Sequence, residues 1–99
     1  MRIAPFEAQA IKEAAHTVFG KRVAVWLFGS RVDDAKKGGD IDLYVELPPE
    51  DYDYTKKVRF WCELVKNLGD QKIDIVINKI GSSPHLPIHD VARAKGIRL

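Results

Sequence analysis

Asp40-Ile41-Asp42-Leu43 opens the run 41–47, which reads as a strand that ends at Pro48-Pro49. Side chains on a strand alternate between the two faces of a sheet. Ile41 and Leu43 therefore anchor one face in the core, while Asp40 and Asp42 share the other. Their Cα atoms lie ~6 to 7 Å apart by the strand rise. Two carboxylates this close at the start of a buried strand repel and are poorly solvated unless a cation sits between them. Mg²⁺ suits that place, since it prefers carboxylate and phosphate oxygens and keeps several of its waters.

A third acid interrupts another apolar run, Lys72-Ile73-Asp74-Ile75-Val76-Ile77-Asn78. A charge inside such a strand calls for a partner or a metal. If this strand lies beside 41–47, Asp40, Asp42 and Asp74 converge. Two of them can hold a pair of Mg²⁺ ions, and the third can also take a proton from a hydroxyl. Ahead of both runs, Leu27-Phe28-Gly29-Ser30 ends a buried strand predicted over 23–28. Gly29 permits a backbone turn close to a phosphate, Ser30 offers a hydroxyl and a backbone N–H, and Arg31 adds a charge for a phosphate oxygen. Taken singly, Gly-Ser is a common turn, Asp-x-Asp a solvated strand edge, and Asp74 an edge-strand charge that discourages sheet association. Their order and their places at strand ends set the combination apart.

Phe28-Gly29-Ser30-Arg31 with Asp40-Ile41-Asp42 resembles the Gly-Ser, Asp-x-Asp signature of the DNA polymerase beta-like nucleotidyltransferase superfamily, and the length of 99 residues is similar to its minimal members. The resemblance covers roughly 23–78, and Asp74 matches the family's third carboxylate. It implies an α/β (α+β) nucleotidyltransferase fold, a small mixed β-sheet flanked by helices. It also implies Asp40, Asp42 and Asp74 as catalytic metal ligands, Gly29, Ser30 and Arg31 at the nucleotide phosphates, two Mg²⁺ ions as cofactor, and ATP as co-substrate. Minimal members are often paired with a helical HEPN-domain protein, as the antitoxin of a toxin–antitoxin system. The resemblance therefore implies transfer of AMP to a tyrosine of such a partner. Two alternatives stay open: a small-molecule acceptor, and a non-catalytic module that neutralises its partner by occlusion. The chain departs from the family pattern at Gly39, where serine is common, and at Val32-Asp33-Asp34, which replaces a small-residue turn. Neither departure removes a catalytic group, and both bear on loop geometry and nucleotide choice.

Composition bounds the remaining choices. The 99 residues are expected to form a single domain over 1–99 around one core. With 16 basic and 14 acidic residues the net charge is +2, too small for a dedicated nucleic-acid binder. No apolar run reaches membrane-span length, the N-terminus lacks a signal-peptide pattern, and Cys62 has no second cysteine to pair with. These features lead to the expectation of a cytoplasmic protein. A domain this small is also expected to borrow a surface through homo- or hetero-oligomer formation.

The remaining elements follow from periodicity. Pro5, with Phe6, Ala10, Ala14 and Val18 at helical spacing, predicts a first helix that stops at Gly20. A helix predicted over 51–68 should turn Val58, Trp61, Leu64, Val65 and Leu68 to the core, with Gly69 just beyond it. Tyr52, Tyr54 and Phe60 fall outside that stripe, as candidates for a partner surface. A loop over 32–39 is expected to close over the triphosphate, and a last helix over 88–95 to end at Gly96. His85 and His89 are four residues apart, but Pro87 breaks the helical spacing and makes them surface residues.

Overall fold

Ile11, Ala14, Ala15, Val18 and Phe19 recur at three- and four-residue intervals, and they form the buried stripe of helix α1 (Pro5–Phe19) in the computed structural model. The structure describes residues 5–28, 41–69, 72–81 and 96–99. The loop predicted over 32–39, the helix predicted over 88–95, and His85 and His89 lie outside the described residues. Each four-residue step along a helix turns the facing direction by about 40°. The row from Phe6 to Val18 therefore spirals off the core, and Phe6 is 71 % exposed instead of packed. Gly20 ends the helix as expected: at φ 100° its N–H donates to the His16 carbonyl at 3.0 Å.

Strand β1 (Ala24–Phe28) is followed by β2 (Ile41–Leu47), a 3₁₀ turn (Pro49–Asp51), α2 (Tyr54–Leu68), β3 (Ile73–Lys79) and β4 (Ile97–Arg98). The second helix starts later than the 51–68 expectation because two local devices intervene. Pro49–Asp51 closes as a 3₁₀ turn, and Asp53, extended at φ −148°, caps α2 by accepting the Lys56 N–H at 2.8 Å. Asp53→Ala removes that acceptor from an orphan helical N–H and should cost ~1 kcal/mol, read as a lower urea midpoint at unchanged slope. Arg22 clamps the 3₁₀ turn from the end of α1, with Nε and one terminal nitrogen on the two Asp51 oxygens at 3.1 and 2.8 Å and the other on Glu50 at 3.2 Å. The hydrogen bond to Asp51 is the main cause that raises the Arg22 pKa above its ordinary value.

The core face of α2 is rotated from the predicted one. Phe60, expected on a partner surface, is fully buried with its ring edge-on to Phe19 at 5.4 Å between centroids. Leu64 is buried as expected, whereas Val58 and Trp61 are 42 % and 45 % exposed. The apolar sector of α2 is wider than the surface beneath it. Phe60 and Leu64 cover the core, Val65 and Leu68 pack partly against it, and Tyr54, Val58 and Trp61 border a groove beside β3. Tyr52 packs on the core cluster, and the Lys79 ammonium lies 5.3 Å from the centre of its ring.

The four strands form one sheet in the order β3-β2-β1-β4. β1 runs antiparallel to both β2 and β4, while β2 and β3 are parallel because α2 makes the crossover between them. This is the small mixed sheet with flanking helices that was expected. β4, paired through Trp26↔Arg98 and Leu27↔Ile97, was not foreseen, since two residues are too few to show a period. Val25, Leu27, Ile41, Leu43, Val45, Leu47 and Ile73 face α1 and α2, and Trp26 and Tyr44 pack together on the opposite face. Among the described residues no helix is long and apolar enough to cross a membrane.

Candidate active site

The parallel pairing of β2 and β3 begins where the Ile41 N–H donates to the Lys72 carbonyl at 2.9 Å. The register that follows makes Asp42 and Asp74 direct neighbours, each the second residue of its strand. Strands in a sheet lie ~4.8 Å apart, so the two carboxylates start from the same level on the same face. Alternation puts both on the side away from the helices, because Ile41, Leu43, Ile73 and Ile75 point into the helical core. On its other flank Asp42 pairs with Phe28, the last residue of β1. β1 therefore ends next to Asp42. Asp42 is half-buried and Asp74 is exposed.

The structure thus brings together two of the three predicted carboxylates and the strand end that precedes the Gly-Ser step. Asp40, Gly29, Ser30 and Arg31 lie outside the described residues. Asp40 adjoins Ile41 in sequence, and Gly29 adjoins Phe28. Among the described residues no group of three or more potential metal ligands is present. Asp42 and Asp74 by themselves still suit a hard divalent cation. They offer carboxylate oxygens from adjacent strands on one face, the donor type such a cation takes.

A side-chain network that the sequence did not reveal supports this register. Tyr44, fully buried, donates its phenolic O–H to the Glu46 carboxylate at 2.5 Å and accepts the Asn78 side-chain N–H at 3.0 Å. Glu46 and Asn78 are themselves buried and are partners in the β2–β3 register. A slip of one residue would send Glu46 and Asn78 to opposite faces and part Asp42 from Asp74. The clue in the sequence was parity: Tyr44 and Glu46 follow Asp42 at steps of two, and Asn78 follows Asp74 at a step of four. The burial and hydrogen bonds of Tyr44 give it this internal role. Tyr44→Phe leaves Glu46 and Asn78 without the phenol and should cost about 1–3 kcal/mol, measured by urea unfolding.

Beside Asp74 runs a groove of about 410 Å³ lined by Tyr54, Lys57, Val58 and Trp61 of α2 and by Ile73, Asp74 and Ile75 of β3. Its walls are polar and apolar in about equal parts, with Lys57 as the cation. The exposed Asp74 is shared between this groove and the carboxylate pair.

A comparison with curated proteins finds no match. A family model described as a nucleotidyltransferase domain matches residues 9–96, a span that takes in most of α1, the whole carboxylate pair and both Gly29 and Ser30. Nucleotidyltransferases typically use a nucleoside triphosphate and a divalent metal, in keeping with the paired aspartates. The chain belongs to the nucleotidyltransferase domain family.

Proposed function

We propose that this nucleotidyltransferase moves AMP from ATP to a hydroxyl of a partner protein, with Asp40, Asp42 and Asp74 at the metal and Gly29, Ser30 and Arg31 at the phosphates. The observation that supports this best is the register that sets Asp42 beside Asp74 at the end of β1. In the reaction the acceptor oxygen bonds to the α-phosphorus, the bond from that phosphorus to the bridging oxygen breaks, and pyrophosphate leaves with the electron pair. The acceptor proton passes to a carboxylate. Asp74 suits that task because it is exposed on a strand at the side of the sheet, where an acceptor can approach. Asp42, half-buried between β1 and β3, suits the fixed end of the cation site. Bound Mg²⁺ would neutralise the phosphate charge and lower the pKa of the acceptor hydroxyl.

The partner we infer is a HEPN-domain protein, with this chain as its antitoxin and a tyrosine of the partner as acceptor. Tyr54, Val58 and Trp61, exposed in the groove beside Asp74, suit an acceptor that brings its own surface. The test is intact-mass spectrometry of a co-expressed HEPN-domain partner before and after Mg²⁺ and each of the four NTPs. The expected result is a gain of AMP on the partner with ATP, absent in Asp42→Asn. An unmodified partner that is nonetheless neutralised would put occlusion in place of catalysis, and a labelled small molecule would move the acceptor out of the protein class.

A further inference from the structure

β3 stands at the edge of the sheet, and its pairing with β2 shows which of its backbone groups are used. The Lys72 carbonyl accepts from Ile41, and the Ile80 N–H donates to the Leu47 carbonyl at 3.0 Å. In a parallel ladder the residues of one parity bond inward and those of the other bond outward. Asp74, Val76 and Asn78 thus direct their backbone groups to β2, and Ile73, Ile75, Ile77 and Lys79 direct theirs away from it. Among the described residues no strand meets them. Natural edges are usually blunted by charges, prolines or bulges; β3 carries Asp74 and Lys79, and Ile75-Val76-Ile77 between them is apolar and unbroken. The exposed half of α2's apolar sector borders the same edge: Tyr54, Val58 and Trp61, exposed at 72 %, 42 % and 45 %, line the groove with Ile73 and Ile75. A fifth strand beside β3 would lie under them.

We infer that the acceptor docks as such a strand, a peptide segment of the partner pairing antiparallel with β3 and carrying one hydroxyl residue between two apolar ones. This rests on the nucleotidyl-transfer reading of Asp74. The three observations assign different parts of the segment. Outward-bonding Ile73 and Ile75 flank Asp74, so the residue across from Asp74 belongs to a non-hydrogen-bonded pair, the closer kind at ~4.5 Å between Cα atoms. Its side chain lies on the face of Asp74 and Asp42, where the hydroxyl is wanted. Its two neighbours alternate to the helical face and enter the groove under Trp61, Val58 and Tyr54. Lys57, also in the groove, favours an acidic residue at its rim. The continuity of groove, strand edge and carboxylate through the single residue Asp74 is what selects a strand as occupant over a helix, which could not use the outward backbone groups.

Amide hydrogen exchange by NMR on the full chain tests this, with a short synthetic peptide holding one tyrosine between isoleucine and valine. At a tenfold excess over its Kd the peptide should slow exchange at Ile73, Ile75 and Ile77 about tenfold and leave Val76 and Asn78, already bonded to β2, unchanged. Protection should vanish for the peptide N-methylated at its pairing amides and fall sharply with Trp61→Glu, a change at an exposed position. Asp74→Asn should keep the protection and lose AMP transfer from Mg²⁺-ATP to the tyrosine. Transfer without protection of those amides would overturn strand docking and leave nucleotidyl transfer standing. Protection with no transfer by the unaltered chain would overturn the peptide as acceptor and count against the transfer reading itself. Absence of both would overturn the docking mode.

Discussion

Asp42→Asn is expected to lower the rate of nucleotidyl transfer by at least about a hundredfold while leaving the fold intact. Asparagine keeps the shape of the side chain and one of its acceptor oxygens but removes the charge. A hard divalent cation depends on that charge, and the neutralisation of the triphosphate depends on the cation. The substitution also keeps the size of the side chain, so the melting temperature should change little. A lost rate at retained stability distinguishes a working carboxylate from a structural one. The check is steady-state transfer together with thermal unfolding of the same preparation. Asp74→Asn should show the same pattern with nucleotide binding better preserved, because Asp74 is the exposed member at the acceptor side. A retained rate in either variant would remove that residue from the site.

Phe60→Ala should destabilise the chain by about 3–5 kcal/mol, the usual cost of deleting a fully buried aromatic. Phe60 is 0 % exposed and meets Phe19 edge-on, so its loss opens a cavity at the α1–α2 contact that backbone shifts alone cannot fill. A domain of this size has a total stability of roughly 5–15 kcal/mol, and the variant should be partly unfolded at ambient temperature or melt on the order of 20 °C lower. Trp61→Ala, one position along the same helix, should change stability by less than about 1 kcal/mol, because nearly half of Trp61 already faces solvent. Urea unfolding of the pair measures where the core face of α2 lies. Equal losses for the two would return α2 to the orientation predicted from its sequence alone.

That orientation shows the limit of periodicity as a guide. The apolar sector of α2 is broad, and the row Val58, Trp61, Leu64, Val65, Leu68 is as regular as the row that is buried. Which half packs depends on where the sheet ends, and strand order is not a local property of any helix. In α1 the same ambiguity appears in milder form. Its strict four-residue row from Phe6 drifts off the core, while the mixed row from Ile11 to Phe19 stays on it. Short-range signals fared better. Gly20 and Gly69 end their helices at positive φ with a hydrogen bond back to the preceding turn, because glycine carries no side chain to oppose that conformation. β2 and β3 were legible from their apolar alternation, and β4 was too short to be seen.

The meeting of Asp42 and Asp74 was legible for a chemical reason: a carboxylate in an apolar strand needs a compensating group, so acids near the starts of two such strands pointed to neighbouring positions. Tyr44, Glu46 and Asn78, which support that meeting from within the sheet, were missed because each looks ordinary until the register pairs them. The groove beside Asp74 was beyond the sequence altogether, since it needs the rotation of α2 and the position of β3 at once.

Paramagnetic relaxation tests the cation site without relying on turnover. Mn²⁺ titrated into the isotope-labelled chain, together with a non-hydrolysable ATP analogue, should first broaden the amide signals of Asp42, Leu43, Asp74 and Ile75. In Asp42→Asn the same broadening should require about tenfold more Mn²⁺ or greater, the scale on which loss of a strong ion contact weakens binding. Broadening that begins instead at the other carboxylates, such as Glu50, Asp51 and Glu63, or that is unaffected by Asp42→Asn, would contradict a metal–nucleotide site between β2 and β3.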